Sequence, residues 1–426
     1  MIQKVKQLLN SRIARNAGWL VAGKVAQMVI SLVVGVLTSR YLGPSNYGLI
    51  NYASAYTGFF ASICTLGINS VIVKELVDHP ERDGEIVGTS LGLRALSSFF
   101  SALMIVAISL IVDANEPTTQ VVVALCAISC VVQIFDTFNY WFQAKLQSKT
   151  TAIATFVAYT MMALYKVILL ISGKPVTYFA LAMSVDYLFL GVLLLIGYKK
   201  QGGGKLGWSS RYSLQLLKKS YHFILPGLMV AVYAQTDKIM LKQMLTEAEV
   251  GYYSTAAGLC SIWCFVLAAI IDSLNPPIME AFQRNKEEFN KKNKLLYAIV
   301  FYMSMAVSLL FTIFGGVAIN ILYGEAYAPA TVPLQVITWY TAFSYLGVAR
   351  NAWIVCMKKQ KYLKYIYCSS ALINVILNFV LIPQWGATGA AIASLTTQIL
   401  TAIVVPFFIK ELRENSVLMI KAILFK

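Results

Sequence analysis

Residues 42–53 read LGPSNYGLINYA and residues 245–256 read LTEAEVGYYSTA. A shift of 203 residues lays one on the other and aligns Leu42 with Leu245, Gly48 with Gly251 and Ala53 with Ala256. A shift of 212 does the same further on, where Asn139, Trp141 and Lys149 meet Asn351, Trp353 and Lys361. Each pair of segments occupies the same span-to-loop position in its half of the chain. Six long apolar runs lie in each half, so the spacing predicts two related six-helix bundles. The change of offset predicts a longer loop after the eighth run than after the second. Six is even, so both halves share one orientation and a pseudo-twofold along the membrane normal follows.

The runs are about 16–38, 47–73, 86–112, 119–142, 151–172, 176–198, 220–242, 250–274, 296–322, 331–356, 363–383 and 387–409. Each is near the roughly 20 residues needed to cross a bilayer as a helix, and too long and even for barrel strands. The predicted class is an all-α integral membrane protein with twelve transmembrane helices. Its parts are an N-lobe at 1–198, a cytoplasmic linker at 199–219 and a C-lobe with a tail at 220–426. Composition agrees: of 426 residues, 58% are hydrophobic and only 13% charged, against about 25% charged in soluble domains. That excludes an ordinary soluble enzyme, a disordered chain and a small disulfide scaffold. Nothing resembles a small-residue cleavage site after a short apolar core, so the first run is expected to stay as a helix.

The formal charge is +16. Of the 35 basic residues, 27 fall in the N-terminus, the tail and one alternating set of loops, while the opposite loops hold only Arg40, Lys174 and Lys242. The positive-inside rule then places both termini in the cytoplasm. Spread over seven segments, these charges form no groove-sized patch, so no nucleic-acid partner is expected. The outer loops are short and leave no room for an extracytoplasmic domain. The linker KKQGGGKLGWSSRYSLQLLKKS lacks phosphate-loop spacing and reads as a flexible connector with an interfacial amphipathic stretch.

Charges at membrane depth are costly and mark function by default. Four are candidate cavity cations for an anionic substrate group: Lys24, Arg94, Arg350 and Lys166. Lys24 lies about 13 Å past Arg15 along the first helix. Candidates for gating or ion coupling are Asp186, Asp237, Lys238, Asp136 and Asp272. The structural alternative for each is an ion pair or a side chain snorkelling to the interface. Pro226-Gly227 in the seventh run and Asn275-Pro276-Pro277, expected to end the eighth, are hinge candidates. Trp339, Tyr340 and Tyr345 suit either packing or stacking on sugar rings. Seven cysteines, all within runs, and two histidines, His79 and His222, give no converging metal set. No hydrolytic motif is present, and no cofactor is expected.

The motifs SRYLGPSNYGLINYA (39–53), QTDKIMLKQMLTEAEVGYYSTA (235–256), ILYGEAYAPATVPLQV (321–336) and IPQWGATGAAIASLTTQ (382–398) run in order along the chain. Together they resemble the polysaccharide repeat-unit (Wzx-type, O-antigen) flippases of the multidrug/oligosaccharidyl-lipid/polysaccharide exporter superfamily. The resemblance implies a V-shaped molecule in the bacterial cytoplasmic membrane. It implies translocation of an undecaprenyl-pyrophosphate-linked oligosaccharide to the outer leaflet by alternating access, beside other polysaccharide-assembly proteins. It also implies that Lys24 meets the pyrophosphate or acidic sugars. SVLMIKAILFK (416–426) is too short for a further span, a departure from the lipid II flippases. With no ATP site, the driving force is membrane potential, an H+ or Na+ gradient, or mass action. The alternatives are a drug/cation antiporter of the same superfamily and, from a different class, a membrane glycosyltransferase or polymerase.

Overall fold

The computed structural model describes the backbone from residue 12 to 424 and the side chains from residue 27 to 424, Ser70 excepted. Among the described residues the regular structure is helical. Eight helices among the described residues are long and apolar enough to cross a membrane. In hydrocarbon only a structure that satisfies its own backbone survives, which is why this composition yields helices. Along Lys286–Tyr323 the exposed positions Leu309, Leu310, Ile313, Phe314 and Val317 form the apolar stripe expected of a lipid-facing surface.

Turns between runs are tight enough that pairs of runs join into kinked helices. Arg12–Thr65 carries the first two, broken at Gly43 with φ +70°. Glycine takes that conformation without the strain a side chain would add, and Pro44 then restarts the helix where its missing N–H is no loss. Leu363–Ile399 carries the last two and breaks at Gly386 with φ +54°. The new helix start is capped from outside: Ala387 N–H donates to Glu249 Oε2 at 2.6 Å, a carboxylate at the positive end of a helix.

Three expectations are corrected. First, the eighth run does not end at Asn275-Pro276-Pro277. The helix Cys264–Arg284 passes through both prolines, and the following turn begins at Asn285, whose Oδ1 accepts from Glu287 N–H at 2.8 Å. Proline removes a donor, but not the carbonyl: that of Pro277 accepts from Lys292 Nζ at 3.2 Å. Second, the offset does not change in the loop after the eighth run. The third and ninth runs start at Asp83 and Lys286, still 203 apart, and the extra residues lie in the ninth helix, of 38 residues against 30. The 212 shift then holds closely. Leu146 (φ 54°) and Lys358 (φ 55°) end matching turns. Their three hydrogen bonds correspond one for one: Lys145 N to Trp141 O with Met357 N to Trp353 O, Leu146 N to Gln143 O with Lys358 N to Val355 O, and Gln147 N to Phe142 O with Lys359 N to Ile354 O.

Third, the 199–209 segment is not a free connector. It docks by its backbone on one face of the helix Asp83–Val112. Gly204 N–H donates to Asp83 Oδ1 at 3.2 Å and Ser209 N–H to Thr89 Oγ1 at 3.1 Å. Gly207 N–H donates to Gly84 O at 3.2 Å. Cβ atoms on Gly84 and Gly88 would fall 2.3 Å from the carbonyl oxygens of Lys205 and Gly207, so only glycines admit this approach.

The chain forms two compact units. One comprises the residues up to Leu42 together with Ala53–Ala231, the other Gly43–Tyr52 with Val232–Lys426. The boundaries fall within two helices, Arg12–Thr65 and Ser210–Met244. The first unit packs Ile72, Leu76, Val87, Phe138, Phe142 and Trp141 into one core; the second packs Phe289, Leu296, Tyr297, Val300, Leu346 and Trp353. The tail helix Arg413–Ile423 lies against Lys286–Tyr323, where Asn415 Nδ2 donates to the Tyr297 hydroxyl at 2.6 Å and Lys286 pairs with Glu414 at 3.0 Å.

Candidate functional site

The richest polar chemistry at membrane depth belongs to the second unit. Asp237 sits two turns before the end of Ser210–Met244 and is 2% exposed. Helices starting or turning at the same end bring four neutral donors to it. Tyr253, early in Glu247–Ser261, donates its hydroxyl to Oδ2. Ser394 donates to Oδ2 at 2.6 Å. Asn374 and Asn378, one turn apart on Leu363–Ile399, donate to Oδ1 at 3.1 and 2.5 Å. Charge-assisted bonds of this kind are the strong ones, and they let a carboxylate remain in an apolar interior.

Lys238, the next residue, lines a cavity of about 200 Å³ together with Asp237, Tyr233, Tyr340, Thr397 and Gln398. Its Nζ contacts Gln235 Oε1 at 3.5 Å. Two polar atoms nearby lack hydrogen-bond partners although buried: Thr397 Oγ1, on the cavity wall, and Asn378 Oδ1. Of the aromatics singled out in the sequence, Tyr340 lines this cavity, whereas Trp339 Nε1 is turned to Thr312 Oγ1 at 3.1 Å.

The first unit holds a smaller cavity of about 90 Å³, lined by Lys166, Asp186, Tyr159, Ser31 and apolar neighbours. Gln27 donates to the Tyr159 hydroxyl, and Asp186 Oδ1 is buried without a partner.

The two buried arginines make a different kind of contact. Arg94, 2% exposed, donates to Thr137 Oγ1 at 2.9 Å and to the Gln133 carbonyl at 3.2 Å. Gln133 opens the tight turn Gln133–Asp136, where the helix geometry changes. Arg350, 4% exposed, donates to the carbonyls of Thr401 and Ala402 at 3.4 and 3.2 Å. Those belong to the wide turn Leu400–Val404. Irregular turns leave carbonyls badly paired, and each guanidinium covers such carbonyls. Neither arginine lines either cavity.

Asp136 lies in the Gln133–Asp136 turn with Asn139 Nδ2 3.5 Å away, and Asp272 is exposed on Cys264–Arg284. Ser210–Met244 continues through Pro226-Gly227; a Cβ on Gly227 would come 2.6 Å from Ser62 Oγ, so this glycine marks a close helix crossing. Lys24 falls outside the residues whose side chains are described. Among the described residues, no group of three or more His, Cys, Asp or Glu could hold a metal.

Sequence reasoning missed Tyr253, Asn374, Asn378 and Ser394, because neutral polar side chains leave no mark on a charge count. The available signal was Asn374 and Asn378, four apart within the apolar stretch 371–383 and therefore on one helix face.

Fold and site together define a multi-pass membrane protein with polar chemistry enclosed among its helices. A family profile described as "Polysaccharide biosynthesis protein" matches residues 13–282. The chain belongs to that family. It is similar to the capsular polysaccharide biosynthesis protein CapF of Staphylococcus aureus, 20% identical over 93% of this chain and 99% of that relative. It is equally similar to a putative O-antigen transporter of Shigella flexneri, 20% identical over 89% of this chain and 94% of that relative. Among solved structures, the lipid II flippase MurJ in an inward closed conformation matches with a TM-score of 0.72 at 13% identity, over 95% of this chain and 92% of that one. At this identity the structural match speaks for the fold.

Proposed function

We propose that the chain is a flippase, not an enzyme, that carries an undecaprenyl-pyrophosphate-linked oligosaccharide repeat unit from the cytoplasmic to the outer leaflet by alternating access. The observation that carries the reading is the Asp237–Lys238 cavity, a charged and hydroxyl-lined space enclosed by helices of a membrane-embedded unit. A glycan headgroup cannot cross hydrocarbon unaided, and such a space replaces the water it must leave. Family membership and the names of the two relatives support the substrate class.

The cytoplasmic membrane is the proposed location, with both termini in the cytoplasm, on the strength of the basic loops. Transport draws on membrane potential or on H+ or Na+. Asp237 is the proposed coupling group: a buried carboxylate held by two amide N–H and two hydroxyl donors, none of them charged, is chemistry for taking up and releasing a proton. Asp186, with its unpartnered oxygen, is the corresponding candidate in the first unit. Lys24 keeps its proposed role as a cation for the pyrophosphate.

The test is translocation of a labelled lipid-linked glycan in liposomes. Flipping that requires the protein supports the reading. Export of a cationic drug without glycan flipping makes it an antiporter, and a change in the glycan itself makes it an enzyme.

A further inference from the structure

We propose that the turn and helix start at residues 358–365 bind the phosphate headgroup of an anionic phospholipid that resides in the bilayer and is not transported. This site is independent of the transport reading.

The two repeat-related turns share a backbone but not a surface. Leu146 and Lys358 both take positive φ, 54° and 55°, and the hydrogen bonds around them correspond. Under the 212 shift Leu146, Gln147, Thr150, Ala152 and Ile153 become Lys358, Lys359, Tyr362, Lys364 and Tyr365. Lys149 and Lys361 agree, and Lys145 becomes Met357 in return. The first turn closes without the added lysines and tyrosines, so the backbone of the second does not require them. A ligand accounts for both residue types appearing at one spot.

The surroundings say which ligand. Helix Leu363–Ile399 lies in one of the membrane-crossing segments. Its residues Tyr365, Leu372, Ile376 and Phe379 are 54%, 62%, 53% and 68% exposed, and Cys368 between them is exposed too. Spacings of three and four put them on one face, a largely apolar stripe that belongs in lipid. The other side of the helix carries Asn374 and Asn378 to Asp237, so the stripe looks away from that carboxylate. Lys361 and Lys364 are exposed where the stripe begins, at the level of headgroups. The proposed topology sets this end at the cytoplasmic leaflet, where lysines near the surface are drawn to anionic lipid.

The lysines are oriented without being neutralised. Lys361 Nζ lies 5.1 Å from the Tyr362 ring centroid, Lys364 Nζ lies 5.0 Å from that of Tyr365, and the two rings are 6.4 Å apart. Such contacts hold an ammonium in place and leave N–H donors for an oxygen ligand. Among the described residues none of the four lysines is ion-paired. Glu411 bonds the Tyr362 hydroxyl and lies near Lys359 and Lys361, but one carboxylate does not balance four ammonium groups. A phosphodiester supplies the missing charge, and its acyl chains continue along the stripe. A soluble acidic segment would satisfy the lysines and leave the apolar face below them bare.

The experiment is native mass spectrometry of the full chain released from micelles, titrated with phosphatidylglycerol or with phosphatidylcholine of the same acyl chains. Phosphatidylglycerol should be retained about tenfold more tightly, as two surface lysines allow. That preference should fall to about twofold in Lys361→Gln/Lys364→Gln and persist in Lys145→Gln/Lys149→Gln, the charge-matched control in the first turn. Equal retention of the two lipids overturns the site, as does an unchanged preference in folded Lys361→Gln/Lys364→Gln or an equal loss in both double variants. Binding of a soluble polyglutamate peptide in phosphatidylcholine nanodiscs, without the lipid preference, overturns it in favour of an acidic protein partner. The wild-type comparison of the two lipids stands even if a variant fails to fold.

Discussion

Gly48 and Gly251 meet in a reciprocal contact. A Cβ on Gly48 would fall 1.8 Å from the Glu247 carbonyl oxygen, and one on Gly251 would fall 2.1 Å from that of Pro44. Pro44 and Glu247, like Gly48 and Gly251, are related by the 203 shift. Each glycine therefore faces the repeat-mate of the carbonyl that its own counterpart faces. A contact that maps onto itself under exchange is the signature of a local twofold, and here it joins the starts of two repeat-related helices.

This contact leaves no room for a methyl group. Gly48→Ala and Gly251→Ala should each lower the melting temperature of the purified protein, by about 1–3 kcal/mol of stability as for overpacked cores. The double variant should cost less than the sum, because one backbone separation relieves both clashes. Unchanged melting in both single variants, or strict additivity, would contradict the reciprocal packing.

A second prediction concerns the docked 199–209 segment. Proteases need several residues of freely extended backbone, and the Lys205 carbonyl is pressed against Gly84. Trypsin should therefore spare the bond after Lys205 in the native protein, although the side chain is exposed. Gly88→Val, which pushes the Gly207 carbonyl away, should make that bond labile. Mapping of limited-digestion fragments by mass reads the difference; rapid cleavage of the wild type would mean the segment is loose.

Much of the fold was legible because apolar length alone dictates where a helix can cross, and the tight turns carry Gly43 and Gly386. The docked segment was not legible. Glycine faces that meet backbone carry no hydrophobic pattern, so a Gly-rich stretch reads as slack whether it is free or pinned. The offset change was misplaced for a related reason: a helix lengthened in its polar or interfacial turns looks like a loop to a hydropathy count. At the site, Asp237 and Lys238 stood out by charge, whereas the ring around Asp237 is made of Asn, Ser and Tyr, whose function there depends on where four helices converge. Arg94 and Arg350 stood out equally by charge, and only the irregular turns beside them show what they bind.

Glu75 offers a pH test outside the membrane spans. Burial alone would raise its carboxyl, but the Lys219 ammonium at 2.6 Å and the Tyr212 hydroxyl at 3.0 Å hold it below its ordinary value of 4.5. A carboxyl depressed in the folded state contributes stability that is fully present above its unfolded value and is lost as pH falls through the folded one. Melting temperature should therefore drop below about pH 4.5, and Glu75→Gln should flatten that part of the profile. Identical acid limbs in the two proteins would remove Glu75 from the explanation.

Arg350 separates a structural cation from a ligand-binding one. Its guanidinium bonds the carbonyls of Thr401 and Ala402, so Arg350→Met should leave those carbonyls unpaired in a buried turn. The expected cost is about 1–3 kcal/mol, read as a lower melting temperature. Flipping of the labelled glycan by the folded variant, measured in liposomes, should stay within a factor of about three of wild type. A large loss of flipping with normal melting would make Arg350 a ligand cation after all.

Asp237→Asn should change two properties, stability and coupling. The amide has one acceptor oxygen where the carboxylate has two, so some of the four donors from Tyr253, Ser394, Asn374 and Asn378 lose their partner, and the new NH2 opposes donors already in place. Stability should fall by about 1–3 kcal/mol for each donor left unpaired. The same change removes the group proposed to take up the coupling proton, so flipping by the variant that remains folded should lose its response to a proton gradient. Melting and liposome flipping read the two effects separately. An unchanged response in folded Asp237→Asn would remove the carboxylate from coupling.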